Sequence, residues 1–314
     1  MDASLYIKAY NLIKSSNNIL IAAHENPDGD ALASSCFMAE ILSLINKKYS
    51  LYCHSEISHQ YGFLPHIEEF KNDCGDSDFD AVIILDCGSP ERAKLEKKFL
   101  TRESGKTIIE IDHHPKIKDF ADLEIRDSSA AATAEILYFF AKANKIKINK
   151  NMANCVLTGI MTDTGNFLYP STSPETVNIA SEMLANGASL PRIIENTWRN
   201  KSIASMKIWG KAMSRLKINK EYNLGWTILE NEGAAVEEEL EGIAGFLSNL
   251  SGVNGIMILR QMPDGRIKGS LRSSKKNMDI SKLAIALGGG GHAKAAGFMI
   301  EGKMEKTNHG WKII

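Results

Sequence analysis

The sequence predicts an α/β protein: a mostly parallel sheet with helices on both faces, joined by a helical linker to a smaller α+β domain. Three observations carry this. The apolar runs Asn18–Ala23, Ala81–Leu85 and Thr107–Ile111 are nearly continuous rather than alternating, as expected of strands buried on both faces. Helical patterns separate these runs, in the βαβ manner. After about Glu221 the text changes to closely spaced strands joined by a tight turn.

In chain order, the strand Asn18–Ala23 leads into an apolar helix over 31–45, and further strands are predicted at 50–53, 81–85 and 107–111. Helices follow over 130–143, 151–162 and from Ser173-Pro174-Glu175, where a capping serine precedes a first-turn proline. These finish a first domain over 1–189. A mixed amphipathic stretch over 190–220 reads as the helical linker. The second domain, 221–314, has predicted strands over 223–229, 255–261 and 266–272, the last two separated by Met262-Pro263-Asp264-Gly265. Helices over 236–250 and 280–286 cover them.

With 314 residues, the chain has room for two domains. No basic leader precedes an apolar core at the N-terminus and no run approaches a membrane span, so a cytoplasmic location without membrane association is expected. The five cysteines contain no CxxC pair, which argues against a disulfide framework and a thiolate zinc site. A net charge of -1 gives no bulk attraction to a long polyanion. Short anionic ligands remain compatible.

Chemistry-bearing residues gather after the apolar runs. His24-Glu25-Asn26-Pro27-Asp28-Gly29-Asp30 follows the first strand, where proline and glycine force a tight loop offering an imidazole and two carboxylates. The bland alternative is a polar loop in which Asp30 caps the next helix. Asp86 ends the strand 81–85, and Asp112-His113-His114 ends the strand 107–111. Adjacent imidazoles beside a carboxylate give little packing benefit and demand polar partners. Asp163 closes a helical pattern, where a simple C-terminal turn is the alternative. Together these hard oxygen and imidazole donors suit divalent ions. An anionic phosphodiester and an anionic nucleophile need concentrated positive charge, which two such ions supply.

These motifs resemble, in order, those of the DHH phosphoesterase family: His24 to Ala31, Asp86, Asp112-His113-His114 and Asp163-Thr164-Gly165. The run Gly288-Gly289-Gly290-Gly291-His292-Ala293-Lys294-Ala295-Ala296-Gly297 resembles the signature of the associated DHHA1 domain, so the likeness spans nearly the whole chain. The resemblance implies one ion on His24, Asp28 and Asp86 and a second on Asp30, Asp86, His113 and Asp163. Manganese is the leading candidate, with magnesium or cobalt as alternatives. It implies catalytic roles for His114, facing the scissile phosphate, and Asp112, orienting the imidazoles. Arg272-Ser273 resembles an arginine-serine pair that holds a nucleotide. Gly289, Gly290, Gly291 and His292 are expected to form a backbone nest for phosphate.

The implied activity is hydrolysis of very short RNA oligonucleotides to nucleoside 5′-monophosphates and dephosphorylation of 3′-phosphoadenosine 5′-phosphate. The competing readings are a cyclic-dinucleotide phosphodiesterase and a non-catalytic nucleotide-binding module. The expected partners are thus short RNA or small nucleotides, and a homodimer is compatible with the sequence.

Overall fold

The protein is described from a computed structural model covering residues 3–74, 78–95, 106–230, 240, 242–275, 277–291, 293–307 and 310–314. It divides into two compact units, Met1–Asn200 and Lys201–Ile314.

In the first unit, strands β1 (Asn18–Ala22), β2 (Lys48–Tyr52), β3 (Phe70–Lys71), β4 (Ala81–Leu85), β5 (Thr107–Asp112) and β6 (Leu123–Arg126) form one sheet in the order β3-β2-β1-β4-β5-β6. Every pairing is parallel. The strand order reverses between β1 and β4, and the crevice at the carboxyl ends of such strands is where open α/β sheets bind ligands.

Ile19 and Ile21 of β1 point into one core and Leu20 and Ala22 into another, which explains the unbroken apolar run. The first core takes the helices α1 (Ala3–Ser15), α2 (Gly29–Leu44), α3 (Thr133–Ala143), α4 (Lys150–Asp163), α5 (Pro174–Ala185) and α6 (Leu190–Thr197). The second face is covered by Phe79, Cys87, Ala93 and Leu95, and the stretch 96–105 lies outside the described residues. Ser173 caps α5 with a full capping box behind Pro174, as the sequence predicts.

The stretch 190–220 is not one connecting element. Ile193 of α6 is buried in the first unit's core, whereas Ile208, Trp209 and Ala212 of α7 (Ile203–Ser214) are buried in the second unit's. Each helix therefore belongs to its own unit, and Lys217–Asn219 is already strand β7.

The second unit carries β8 (Leu224–Leu229), β9 (Gly255–Gln261), β10 (Arg266–Arg272), β11 (Gly290–Gly291) and β12 (Ala295–Glu301), in the order β11-β12-β10-β9-β8-β7. Its pairings are antiparallel except β8 with β9, which are parallel. The chain from β8 to β9 therefore crosses over, through α8 (Ile243–Leu247). Of the helix expected over 236–250, residues 236–239 and 241 lie outside the described residues. The helix α9 (Ser281–Ala286) packs on the opposite face through Ala284, and β13 (Met304–Thr307) and β14 (Gly310–Ile313) form a separate pair.

A half-buried polar cluster braces the first unit. His66, in the left-handed region at φ 61°, faces Glu40 Oε2 through Nε2 and Glu69 Oε1 through Nδ1, both at 2.7 Å. Asn149 and Asn151 donate to the same Glu40. An imidazole with a carboxylate at each nitrogen must carry both protons. Burial opposes that charge, but Glu69 and Glu40 outweigh it and raise the pKa of His66.

A raised folded value stabilises below the ordinary pKa and loses that contribution as pH rises through the folded value. His66→Gln is therefore expected to destabilise by about 1–2 kcal/mol near about pH 6. The difference should shrink in alkaline solution, as read by denaturant unfolding across pH. A difference that does not vary with pH would refute the imidazolium.

Candidate metal centre

Three sheet strands deliver the site. The loop after β1 carries His24 and Asp28, the end of β4 carries Asp86, and the end of β5 carries Asp112, His113 and His114; α4 ends on Asp163. Asp86 holds a left-handed backbone at φ 56°, unusual outside glycine although tolerated best by Asn and Asp. Gly165, Asn166 and Phe167, directly beyond Asp163, are all left-handed as well. A carboxylate on the last helical residue also faces the negative end of the helix dipole. Strain of this kind gathers at functional sites.

The structure brings together three sets of ligand atoms, each lying within 4.8 Å of one another: His24, Asp28 and Asp86; Asp30, His113 and Asp163; and Asp86, His113 and His114. The imidazoles are oriented from behind. His24 Nδ1 donates to the Glu25 carbonyl at 2.7 Å and His113 Nδ1 to the Ala130 carbonyl at 3.3 Å. Since a carbonyl can only accept, each ring carries a proton on Nδ1, which leaves Nε2 as the atom turned toward the carboxylates and open to a metal. His113 Nε2 lies 3.5 Å from Asp86 Oδ1 and 3.3 Å from Asp163 Oδ2, and His24 Nε2 lies 4.0 Å from Asp28 Oδ1. Asp28 is 53% exposed while His24 is buried, so the first set opens to solvent.

His114 differs. Its Nδ1 lies 2.7 Å from Asp112 Oδ1 and 3.3 Å from Asp86 Oδ1. Burial works against its charge, but these two carboxylates prevail and lift it to about 10. Asp112 is itself held by the Gly88 N–H at 2.5 Å and by Arg126, and burial notwithstanding it is kept well below the usual carboxylate range, chiefly by His114. Arg126 also donates to the His114 carbonyl and pairs with Glu110 and Glu124, so the tripeptide rests on a buried ionic cluster.

Asp30 does not cap the helix on which it sits. That task falls to Asp28, whose Oδ1 accepts the N–H groups of Asp30 and Ala31 at 3.1 Å. Asp30 instead accepts the Thr133 N–H at 2.6 Å and the Ala134 N–H at 3.0 Å, at the start of α3. Burial and then the proximity of Asp86 and Asp163 raise its pKa well above the usual range. Asp163, raised by burial in spite of His113, reaches about 7. Carboxylates this strongly driven to protonate are short of positive charge, and the donor set fits hard divalent ions.

Thr133, Gly88, Gly159 and Arg126 were not singled out from the sequence. Only Gly159 left a local signal, as a glycine inside a helical pattern. The others act through partners remote in the chain.

In the second unit, the register aligns Arg272 with Ala295, Ser270 with Gly297 and Lys268 with Met299, and Gly297 in turn with Gly290. Directly paired residues share a face. Arg272 thus stands beside Ala295 and on the same face as Gly297 and Gly290, with Lys268 beside Met299, opposite the buried Ile267 and Leu271.

Two expectations need correction. Ser273 is buried, and its hydroxyl donates to the Asn254 carbonyl at 2.6 Å and accepts the Lys275 N–H, so it secures the strand exit instead of presenting a hydroxyl to a ligand. Part of the expected backbone nest is committed elsewhere. Gly288, at φ 75°, and Gly289 send their N–H groups to the Ile285 and Ala284 carbonyls and close α9. A Cβ on Gly289 would overlap the Gly297 carbonyl, so this glycine is required by packing. Gly290 and Gly291 form β11, and His292 lies outside the described residues.

A parallel sheet whose switch-point edge gathers carboxylates and imidazoles for metal, followed by a second mixed-sheet unit, defines a metal-dependent phosphoesterase. The DHH family N-terminal domain matches residues 18–160 and the DHHA1 domain residues 223–309, so the chain carries both domains of the DHH phosphoesterases. It is 29% identical to the bifunctional oligoribonuclease and PAP phosphatase NrnA of Thermus thermophilus over 90% of this chain and 84% of that one. It is 26% identical to NrnA of Bacillus subtilis over 90% of both. The fold superimposes on an exopolyphosphatase-related protein from Bacteroides fragilis with a TM-score of 0.87, at 25% identity, over 96% of this chain and 93% of that one. Among the described residues, no helix is long and apolar enough to cross a membrane.

Proposed function

We propose that this protein, with manganese bound, hydrolyses very short RNA oligonucleotides to nucleoside 5′-monophosphates and also removes the 3′-phosphate of 3′-phosphoadenosine 5′-phosphate. The observation that carries the reading is the convergence of Asp28, Asp30, Asp86 and Asp163 with His24 and His113 at the switch point of the sheet. The activities named for the NrnA relatives, whose likeness spans both units, supply the substrate class.

In this reading, His24, Asp28 and Asp86 hold one divalent ion, and Asp30, Asp86, His113 and Asp163 hold another, with Asp86 shared. Ions held by these residues would supply Lewis acidity toward a water and positive charge against the phosphate. His114, protonated between Asp112 and Asp86, places a fixed positive charge where charge accumulates on the phosphoryl oxygens. Asp112 orients it. In the second unit Arg272 takes a phosphate of the substrate, with Gly290, where nothing lies within 4 Å of an added Cβ, leaving room for close approach to its strand, and Gly291 and His292 contributing by resemblance.

A product time course on end-labelled RNAs of graded length, with 3′-phosphoadenosine 5′-phosphate and cyclic di-AMP in parallel and manganese, magnesium or cobalt added, tests the proposal. Preference for the shortest RNAs is expected. A clear preference for the cycle would instead assign a cyclic-dinucleotide phosphodiesterase, and inert behaviour toward all substrates would remove the enzymatic reading. Arg272→Ala should raise KM for short RNA about 10–100-fold, the equivalent of one charged hydrogen bond, with less change in kcat. An unaltered KM would take Arg272 out of substrate binding.

A further inference from the structure

The start of α3 is built in an unusual way. Its N-cap, Ala132, makes no side-chain bond, and it follows two further alanines. The donors that a local serine or aspartate would normally satisfy are turned toward residues far away in the chain. Both of the first two N–H groups go to Asp30, and the Thr133 hydroxyl goes to Asp86 Oδ1 at 2.9 Å. The direction of that hydroxyl is fixed, because the His113 N–H donates to Thr133 Oγ1 at 3.3 Å and leaves the hydroxyl hydrogen for the carboxylate. Thr133 is fully buried, so water does not compete for these bonds.

One residue therefore bonds to three members of the metal set: to Asp86 through its hydroxyl, to the main-chain N–H of His113 through the same oxygen, and to Asp30 through its own main-chain N–H. Without such donors, the buried Asp30 and Asp86 carboxylates would repel each other and turn apart. A threonine further inside a helix commonly returns its hydroxyl to the carbonyl four residues earlier. In the first turn no helical carbonyl claims it, and the β-branched side chain has few rotamers to lose.

We propose that Thr133 is a positioning residue that organises the carboxylate pair Asp30 and Asp86 before any cation arrives, so that the site is preformed. This rests on the metal-dependent reading given above. Groups of this kind behind a metal ligand typically contribute about 10–100-fold to metal affinity.

The test is manganese binding to the full-length protein without substrate, by titration calorimetry and by the loss of the free-ion EPR signal. Thr133→Val keeps the shape and removes the hydroxyl, Thr133→Ala removes it without placing a methyl group against Asp86, and Thr133→Ser retains it. Affinity should fall about 10–100-fold in the valine and alanine variants and stay close to wild type in the serine variant. A purely structural role would lower the melting temperature of all three while leaving the folded fraction's affinity unchanged. Wild-type affinity in either folded hydroxyl-free variant overturns the inference. If the wild-type protein itself binds no manganese, the proposed function fails instead, so the two failures are separable.

Discussion

Asp86→Asn should leave a folded protein whose phosphoesterase turnover is reduced by about a thousandfold or more. Asp86 sits at φ 56°, a conformation that asparagine tolerates and alanine does not, so the asparagine variant changes the charge without straining the chain. Asp86 Oδ1 is where the Thr133 hydroxyl, His113 and His114 converge, and Asp86 is the carboxylate shared between the two proposed ion positions. Removing its charge weakens both positions together. Charge stabilisation by a bound ion is worth several kcal/mol, and about 4 kcal/mol already corresponds to about a thousandfold in rate. Initial rates on a short RNA over a manganese series check this, with unfolding curves to confirm the fold. Turnover near wild type at saturating manganese would sink the shared-carboxylate assignment.

The parts of this site that were legible in the sequence are those whose chemistry is local. The strands β1, β4 and β5 could be placed because both of their faces are buried, and a parallel arrangement then puts His24, Asp86 and the Asp112 tripeptide along one edge. The short edge strands β3 and β6 escaped notice, since two residues give no period and Leu-Glu-Ile-Arg alternates like an exposed segment. The alanine run read as the opening of a helix from residue 130 is not helical until Thr133. The Ala130 carbonyl accepts from His113, and the following N–H groups of α3 turn to Asp30. No periodicity reports a bond that spans 103 residues of chain.

The second unit is less legible for the same physical cause. The strands β9 and β10 and the turn between them follow from local alternation and turn chemistry. The parallel pairing of β8 with β9 depends on the route of the intervening chain, which composition does not encode. The glycine run is ambiguous in a specific way. Glycine signals that a side chain is excluded, but not whether a ligand or the protein's own backbone excludes it. At Gly289 the excluding group is the Gly297 carbonyl, and at Gly291 the Ala295 carbonyl, whereas nothing within 4 Å opposes a side chain at Gly290.

Gly159 offers the second large effect, and it arises from exclusion by the site itself. Gly159 lies inside α4, where alanine would ordinarily favour the helix by about 1 kcal/mol. Here a Cβ would overlap Asp30 Oδ1 and come within 2.5 Å of the Ala134 Cβ. Neither neighbour can give way cheaply. Asp30 is a short side chain fixed by two N–H groups of α3, and Ala134 belongs to the backbone turn that donates one of them. Either α3 moves away from α4, or Asp30 rotates and leaves two buried N–H groups without an acceptor. Gly159→Ala should therefore destabilise by about 1–3 kcal/mol, as overpacking does, despite the helix preference. Displacing Asp30 by as little as about 1 Å should also lower kcat/KM about 100-fold. Gly210→Ala in α7, where nothing lies within 4 Å of the added Cβ, is the matched control and should be neutral or slightly stabilising. Chemical denaturation and manganese-dependent hydrolysis measured on both variants decide the matter. If Gly159→Ala keeps wild-type turnover, the position of Asp30 is not set by its contact with α4, and the close packing of α2 on α4 has no role in assembling the metal site.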